Sequence, residues 1–213
     1  MEYAFDVRAT SLTRALEAMA SMEKGKPYAL RPQDAKRRLI DDLARLCADV
    51  GVKPVVIGGL AVNHHGYMRV TADVDILVAR AEVVALYRRL KSEPGWKRYP
   101  EGFKNTVLDV GLDVCVEGER TAPRSAEQFP APGELAVVEV GPLPVPTLGE
   151  LLALKVMSGR ARDDADVVEL LKRHRTRVAS IRAAASRRLR TPEARSRLRA
   201  LVARAKSELA RRR

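Results

Sequence analysis

Residues Pro54 to Val78 read PVVIGGLAVNHHGYMRVTADVDILV. The stretch parses as a buried strand (Val55 to Ile57), a glycine pair (Gly58, Gly59), a short apolar helix, a turn, and a second strand carrying Asp73 and Asp75. Side chains at i and i+2 of a strand point to the same face, so the two carboxylates lie side by side. Two such charges in an otherwise apolar strand are costly to bury unless a positive group compensates them. The stretch therefore predicts a chemical site that calls for a cation.

Upstream, Pro32 suits a helical first turn, Leu39, Ile40, Leu43, Leu46, Cys47 and Val50 form one apolar stripe, and Gly51 fits the C-terminal cap. A shorter amphipathic helix is expected before it, capped by Ser11 and carrying Leu12, Leu16 and Met19. Downstream, AEVVALYRRLKSE predicts a helix with Val83, Val84, Leu86, Tyr87 and Leu90 turned inward. FKNTVLDVGLDVCVEG predicts a hairpin with its turn near Asp109 to Gly111 and a return strand from Leu112 to Val116. In that strand Asp113 and Cys115 face one way and Leu112, Val114 and Val116 the other. Asp109 shares a face with Asp113 if no turn intervenes, but Asp113 is preferred because VCV follows it as a buried strand would.

Residues 118–134 are rich in Pro, Gly and charge and read as a surface loop, and ELAVVEVGPLPVP as a further strand or edge pair ended by prolines. Thr147 is placed to cap TLGELLALKVMSG, with Glu150 in the capping-box position and Lys155 interrupting the apolar run. GRARDDADVVELLKR follows as a helix. The Ala/Arg-rich remainder is helix broken at Thr191-Pro192, with an apolar stripe of Leu198, Leu201, Val202, Ala205 and Leu209. The fold class expected is α+β: a small mixed sheet with flanking helices and a helical C-terminal region. Its segments are 1–51 (helices packing on the core), 52–145 (the sheet core) and 146–213 (helices with a basic tail).

The chain has 213 residues and 46% hydrophobic content, enough for a core. No apolar run approaches the roughly 20 residues that span a bilayer. The opening MEYAFDVRAT carries Glu2 and Asp6 where a secretory signal would place positive charge, and Cys47 and Cys115 lack metal-ligand spacing. A cytoplasmic protein with reduced thiols is expected. The net charge of +12 is concentrated at one end, because residues 172–213 hold 16 Lys and Arg against Glu193 and Glu208. Such a block suggests a polyanion partner, nucleic acid before a membrane surface, against the plainer reading of a solvated helical face. Aromatic content of 4% argues against an extensive base-stacking platform.

Asp73, Asp75 and Asp113, on two strands that can lie side by side, supply hard oxygen donors suited to magnesium or manganese, with positions left for water and phosphate oxygens. Gly58 and Gly59 sit at a strand-to-helix junction, where backbone N–H groups approach an anion without a Cβ in the way. Together these parts describe a nucleoside triphosphate site. Adjacent His64 and His65 diverge by about 100° on a helix and make a poor zinc site, so one is expected packed near the site and the other exposed.

The run IGGLAVNHHGYMRVTADVDILV resembles the signature of the DNA polymerase β-like nucleotidyltransferase superfamily. More narrowly it is similar to the small AbiEii-type nucleotidyltransferase-like proteins of bacterial toxin-antitoxin and phage-defence systems, as is LGELLALKVMSGRARDDADVVELLKR. The resemblance covers Val52 to Arg173. It implies Gly58 and Gly59 as the phosphate-contacting loop, Asp73 and Asp75 as metal ligands, and Asp113 as the third ligand and general base. It further implies Lys155 near the triphosphate, Arg69 and Thr71 on phosphate or bracing the loop, and Asp163 as a partner that positions Lys155 or Arg69. Asp163, Asp164 and Asp166 read equally as favourable charges at a helix N-terminus.

The function implied is a Mg²⁺- or Mn²⁺-dependent nucleotidyltransferase that moves a nucleoside monophosphate from an NTP to a macromolecular hydroxyl. The basic tail favours RNA, and among RNAs tRNA, as acceptor. The toxin of a toxin-antitoxin pair, with a separate antitoxin chain, fits the resemblance. The alternative is a module of the same fold that binds RNA, nucleotide or a partner protein without turnover. The tail's apolar stripe also allows homo-oligomerisation.

Overall fold

The computed structural model describes residues 32–100 and 102–211. The expected helix around Ser11, Leu12, Leu16 and Met19 lies outside the described residues. Helix α1 (Pro32–Asp49) buries Leu39, Ile40, Leu43, Leu46 and Cys47, the stripe read from the sequence, and Gly51 closes it with φ +70°. Strand β1 (Val55–Val56), helix α2 (Gly58–His64), strand β2 (Val74–Val78) and helix α3 (Val83–Ser92) follow. On α3, Leu86 and Leu90 are buried, but Val84 is 61% exposed rather than turned inward. Its place between the buried rows leaves it on the solvent side of the helix.

Strands β3 (Trp96–Arg98), β4 (Gly102–Asn105) and β5 (Val110–Val116) complete a five-stranded sheet in the order β1-β2-β5-β4-β3. The β2/β5 pair is parallel and its neighbours are antiparallel, so the sheet is mixed, as the α+β reading expected. The hairpin turn falls earlier than the sequence suggested: β5 already begins at Val110, and Asp109 takes the left-handed conformation at φ +55° in the turn itself. Asp109 therefore leaves the strand and pairs with Lys104 across the turn at 2.5 Å, 84% exposed. Asp113 alone remains on β5. Its strand alternates buried and half-buried side chains, with Leu112, Val114 and Val116 in the main core.

That alternation gives the sheet two unlike faces. Val74, Ile76 and Val78 join the β5 residues and α1 and α3 in one continuous core, which also takes in Val167, Leu170 and Leu201 from the C-terminal helices. On the opposite face Leu77 packs with Val55, Ile57, Leu135 and Leu154, while Asp75 and Asp113 stay half-buried. Two short strands, β6 (Val137–Val138) and β7 (Val145–Pro146), form the expected edge pair.

Helix α4 (Leu148–Ser158) is buried nearly all round, which suits its almost unbroken apolar sequence. A Cβ on Gly149 would come 2.5 Å from Ala184 Cβ, so the glycine sets the close crossing with helix α6 (Val178–Arg188). The expected capping box is not formed. Thr147 makes no side-chain cap bond, its N–H donates to Ala136 O at 2.8 Å, and Glu150 instead accepts from Arg188 Nε at 2.9 Å. Helix α5 (Ala161–Arg173) follows the left-handed Gly159, and helix α7 (Pro192–Ala210) starts at Thr191, whose hydroxyl accepts from Ala194 N. The stripe of Leu198, Leu201, Val202 and Ala205 is buried against the chain's own α5. It is thus consumed internally and is not a free seam for pairing with a second copy. No described helix is long and apolar enough to cross a membrane.

The three histidines gather where α2 and α5 end. His64 is buried, and His65 is half-buried rather than exposed, so neither matches the solvent-facing partner expected. His65 Nε2 donates to Pro146 O at 2.8 Å, and His174 Nε2 bonds His65 O at 2.9 Å. Burial lowers the His65 pKa to about 4, the Pro146 bond opposing the shift and His64, His174 and Arg177 adding to it. The folded protein thus resists a proton that the unfolded chain accepts near 6.5, and stability falls as pH drops from that value toward 4. His65 accounts for a loss on the order of 2–3 kcal/mol over that interval. Denaturant titrations from pH 7 to 4 should show this slope in the native chain and its absence in His65→Gln.

Candidate functional site

Parallel register places Asp75 directly opposite Asp113 on adjacent strands, both half-buried on the same face. Asp73 stands one residue ahead of β2, and its carboxylate crosses toward β5, so that a Cβ on Gly111 would lie 2.4 Å from its Oδ1. The glycine at 111 is what allows that approach. Cys115 follows Asp113 on the same face, and its thiol is pushed up by burial and by the charges of Asp75 and Asp113. Neither cysteine is bridged; burial likewise raises Cys47 to about 12, so both are poor nucleophiles.

The glycine pair abuts this carboxylate row. Gly58 has φ +63°, and a Cβ there would come 1.8 Å from Asp75 Oδ2, so the position excludes any side chain on both counts. A Cβ on Gly59 would meet Thr71 Oγ1 at 2.5 Å, and the Gly59 N–H bonds to the Asp75 carboxylate. In this structure the close approach that the pair permits is filled by the chain's own Asp75 and Thr71. Burial raises the Asp75 carboxyl above its usual range; Lys155, the Gly59 N–H and Arg160 oppose the shift, and Asp73 reinforces it.

Behind the row lies a cluster of buried charges. Lys155 Nζ contacts Asp163 Oδ1 at 2.6 Å and Asp166 Oδ2 at 2.9 Å, with all three side chains almost fully buried. Asp166 also accepts from Arg69, Nε at 2.7 Å and Nη2 at 2.8 Å, in a forked pair. Asp163 accepts in addition from Ser158 Oγ and from Arg160 Nε. Burial pushes the Asp163 carboxyl up, but Lys155, Ser158 and Arg160 outweigh it and hold it below the usual value. Three cations against two carboxylates leave one positive charge in excess beside Asp75. Arg160 is the exposed member of the cluster, and its charge reaches Asp75.

The structure thus brings Asp73, Asp75, Asp113, Gly58 and Gly59 together at one end of β2. It sets Arg69, Thr71, Lys155 and Asp163 in a layer behind them. Lys155 and Asp163 are direct partners, and Asp166 is built into the same network rather than resting as a solvated charge at the α5 start. For a divalent cation the donors fit in type: Asp75 and Asp113 are hard oxygen ligands in register, next to a third carboxylate, with one of the pair disfavoured as a bare anion. Among the described residues, no three His, Cys, Asp or Glu side chains converge closely enough to share one ion.

No protein-family model matches the chain, and no curated protein matches it. Among solved structures it is similar to a crystal structure of ANT(2″)-Ia in complex with adenylyl-2″-tobramycin, at 13% identity and a TM-score of 0.43, over 72% of this chain and 98% of that one. It is also similar to a solution structure of the antibiotic-resistance factor ANT(2″)-Ia, at 15% identity and a TM-score of 0.40, over 82% of this chain and 93% of that one. Likeness at this level carries no argument about activity, which rests on the site itself.

Sequence reasoning missed Asn63, which is 1% exposed at the end of α2. Its only signal was a lone amide in the apolar run GGLAVNH, preceding a loop with no periodicity of its own. Arg162 was likewise unassigned; its Nη2 donates to Val70 O at 2.7 Å.

Proposed function

We propose that the chain is a divalent-metal-dependent nucleotidyltransferase that transfers a nucleoside monophosphate from an NTP to a hydroxyl of RNA, tRNA first, and releases pyrophosphate. The observation that carries the reading is the register pair Asp75 and Asp113, with Asp73 at the head of the strand and an excess positive charge behind them. Asp73, Asp75 and Asp113, which do not converge on one point in this structure, would have to draw together to hold Mg²⁺ or Mn²⁺, which would supply charge neutralisation at the phosphates and a lowered pKa for the attacking hydroxyl. Asp113 takes that hydroxyl's proton. Asp75 and Thr71 fill the space beside Gly58 and Gly59, so phosphate oxygens would reach that backbone only once those side chains turn away; Arg160 meets the triphosphate from the exposed side, and Lys155 acts on it through the field of the buried cluster. Arg69 and Thr71 brace the approach to Asp73. The chain acts in the cytoplasm as a toxin restrained by a separate antitoxin protein.

The acceptor follows from the distribution of cations in the C-terminal helices. Lys172, Arg188, Arg197 and Arg204 are spent on carboxylates within the chain. Arg175, Arg177, Arg182, Arg187 and Arg190 are exposed and have no carboxylate partner among the described residues. Phosphates neutralised by such groups give affinity without sequence readout. Incubation with radiolabelled NTPs, Mg²⁺ and total RNA is expected to label RNA. Replacing Arg175, Arg177 and Arg182 together by Gln should reduce the slope of log affinity for RNA against log salt by about two. Label that enters a small hydroxyl compound but not RNA would overturn the acceptor, and an unchanged slope would overturn the docking face.

One observation favours a second reading, a binding module without turnover. The Gly59 N–H is taken by Asp75, and Lys155 is paired with two carboxylates, so two groups expected at a triphosphate are engaged within the protein. Tight RNA or nucleotide binding with no label in any acceptor would select it.

A further inference from the structure

Between α2 and β2 the backbone from Tyr67 to Thr71 belongs to no helix or strand, yet it delivers Asp73 and Asp75 to the site. A segment without a ladder must satisfy its backbone groups by other means or remain loose. Here a buried amide does so. Asn63 Nδ2 donates to Arg69 O at 2.9 Å, and Arg69 N donates to Asn63 Oδ1 at 2.9 Å, so one side chain takes both backbone groups of a single residue as a neighbouring strand would. The Arg69 guanidinium is then locked from the other side by the forked pair to Asp166, which is 1% exposed. Its remaining nitrogen, Nη1, donates to Val70 O at 3.2 Å, and Arg162 binds the same carbonyl. Two residues on, Thr71 Oγ1 donates to Asp73 O at 3.3 Å. The chain of contacts runs from α2 and α5 through Arg69 and Thr71 to the backbone of the first carboxylate.

We propose that Asn63 and Asp166 are positioning residues that together hold the Arg69–Thr71 segment, and through it Asp73 and Asp75, in one conformation. Asp166 also pairs with Lys155, so the same carboxylate fixes the loop in front of the site and the buried cation behind it. Neither residue touches substrate in this scheme; each acts through Arg69. The activity arm of the test rests on the nucleotidyl-transfer reading, and the backbone arm does not.

The variants are Asn63→Ala and Asp166→Asn, with Arg69→Lys as a third that keeps the charge, loses the fork and leaves both buried partners in place should either of the others fail to fold. Hydrogen exchange of the native chain and variants is expected to show amides of residues 67–73 exchanging on the order of ten- to a hundredfold faster, with α1 and α4 unchanged. Label transfer is expected to fall on the order of a hundredfold in kcat with KM for NTP changed less than about threefold, since misplaced groups cost orientation rather than binding. Unchanged exchange at 67–73 overturns the clamp, and faster exchange with native kcat overturns its positioning role. A native chain that transfers no label to any acceptor removes the functional reading instead, while the exchange data still decide whether Asn63 and Asp166 hold the loop.

Discussion

Asp75→Asn is expected to abolish nucleotidyl transfer while leaving the fold intact or more stable. A metal-binding carboxylate contributes several kcal/mol of charge stabilisation in the transition state, so its loss corresponds to a rate decrease of at least about 10³-fold. The stability arm has the opposite sign. Burial raises the Asp75 carboxyl above its usual range, so the folded chain holds that proton more tightly than the unfolded chain does. The resulting destabilisation is absent below the unfolded pKa of about 3.9 and grows as pH rises through the folded value. At pH 7 Asp75→Asn removes it, keeps the side chain's shape, and still offers an oxygen to the Gly59 N–H. Label incorporation and denaturant unfolding on the same preparation check both arms. Undiminished transfer would remove Asp75 from the metal site, and lost transfer with a substantially lowered stability would reduce it to a structural residue.

Lys155→Met is expected to be the most destabilising single substitution at the site. It leaves Asp163 and Asp166 almost fully buried with Arg69 and Arg160 as their remaining cations. Removing one partner of a buried pair typically costs about 3–5 kcal/mol, because the surviving charge cannot regain its water. For a chain of this size that corresponds to a Tm lower by roughly 6–20 °C. The double variant Lys155→Met/Asp163→Asn, which removes one carboxylate as well, should recover part of the loss. Thermal melts of the single and double variants decide the matter; an unchanged Tm would mean that the cluster is solvated in solution.

The parts of this site legible in the sequence were those set by local periodicity. The strand period placed Asp75 on the half-buried face, although Asp73, expected on the same strand, falls one residue ahead of it; alternation within VGLDVCV put Asp113 and Cys115 on the half-buried face, and the glycine pair marked a close approach. What sequence could not supply was the partner of each close approach. Gly58 is a glycine because Asp75, seventeen positions on, lies against it. The pairing of Asp75 with Asp113 depends on parallel register across an intervening helix and two strands, a long-range property. Glu150 shows the reverse failure, since a sound local motif was overridden when Arg188, 38 residues away, offered a charged partner. The turn was expected near Asp109 to Gly111, and the left-handed Asp109 ends it, so the return strand starts at Val110, two residues earlier than Leu112.

Arg197 joins the tail to the site in a way that composition hid. Its Nη2 donates to Gly159 O at 2.5 Å, its Nε and Nη2 each bond Asp164 at 2.7 Å, and Glu127 accepts from the N–H and hydroxyl of Thr191, the residue that caps the same helix. The arginine-rich end is therefore not a detachable cargo hook. Any change that removes Arg197 also unpins the Gly159 corner from which the charge of Arg160 reaches Asp75.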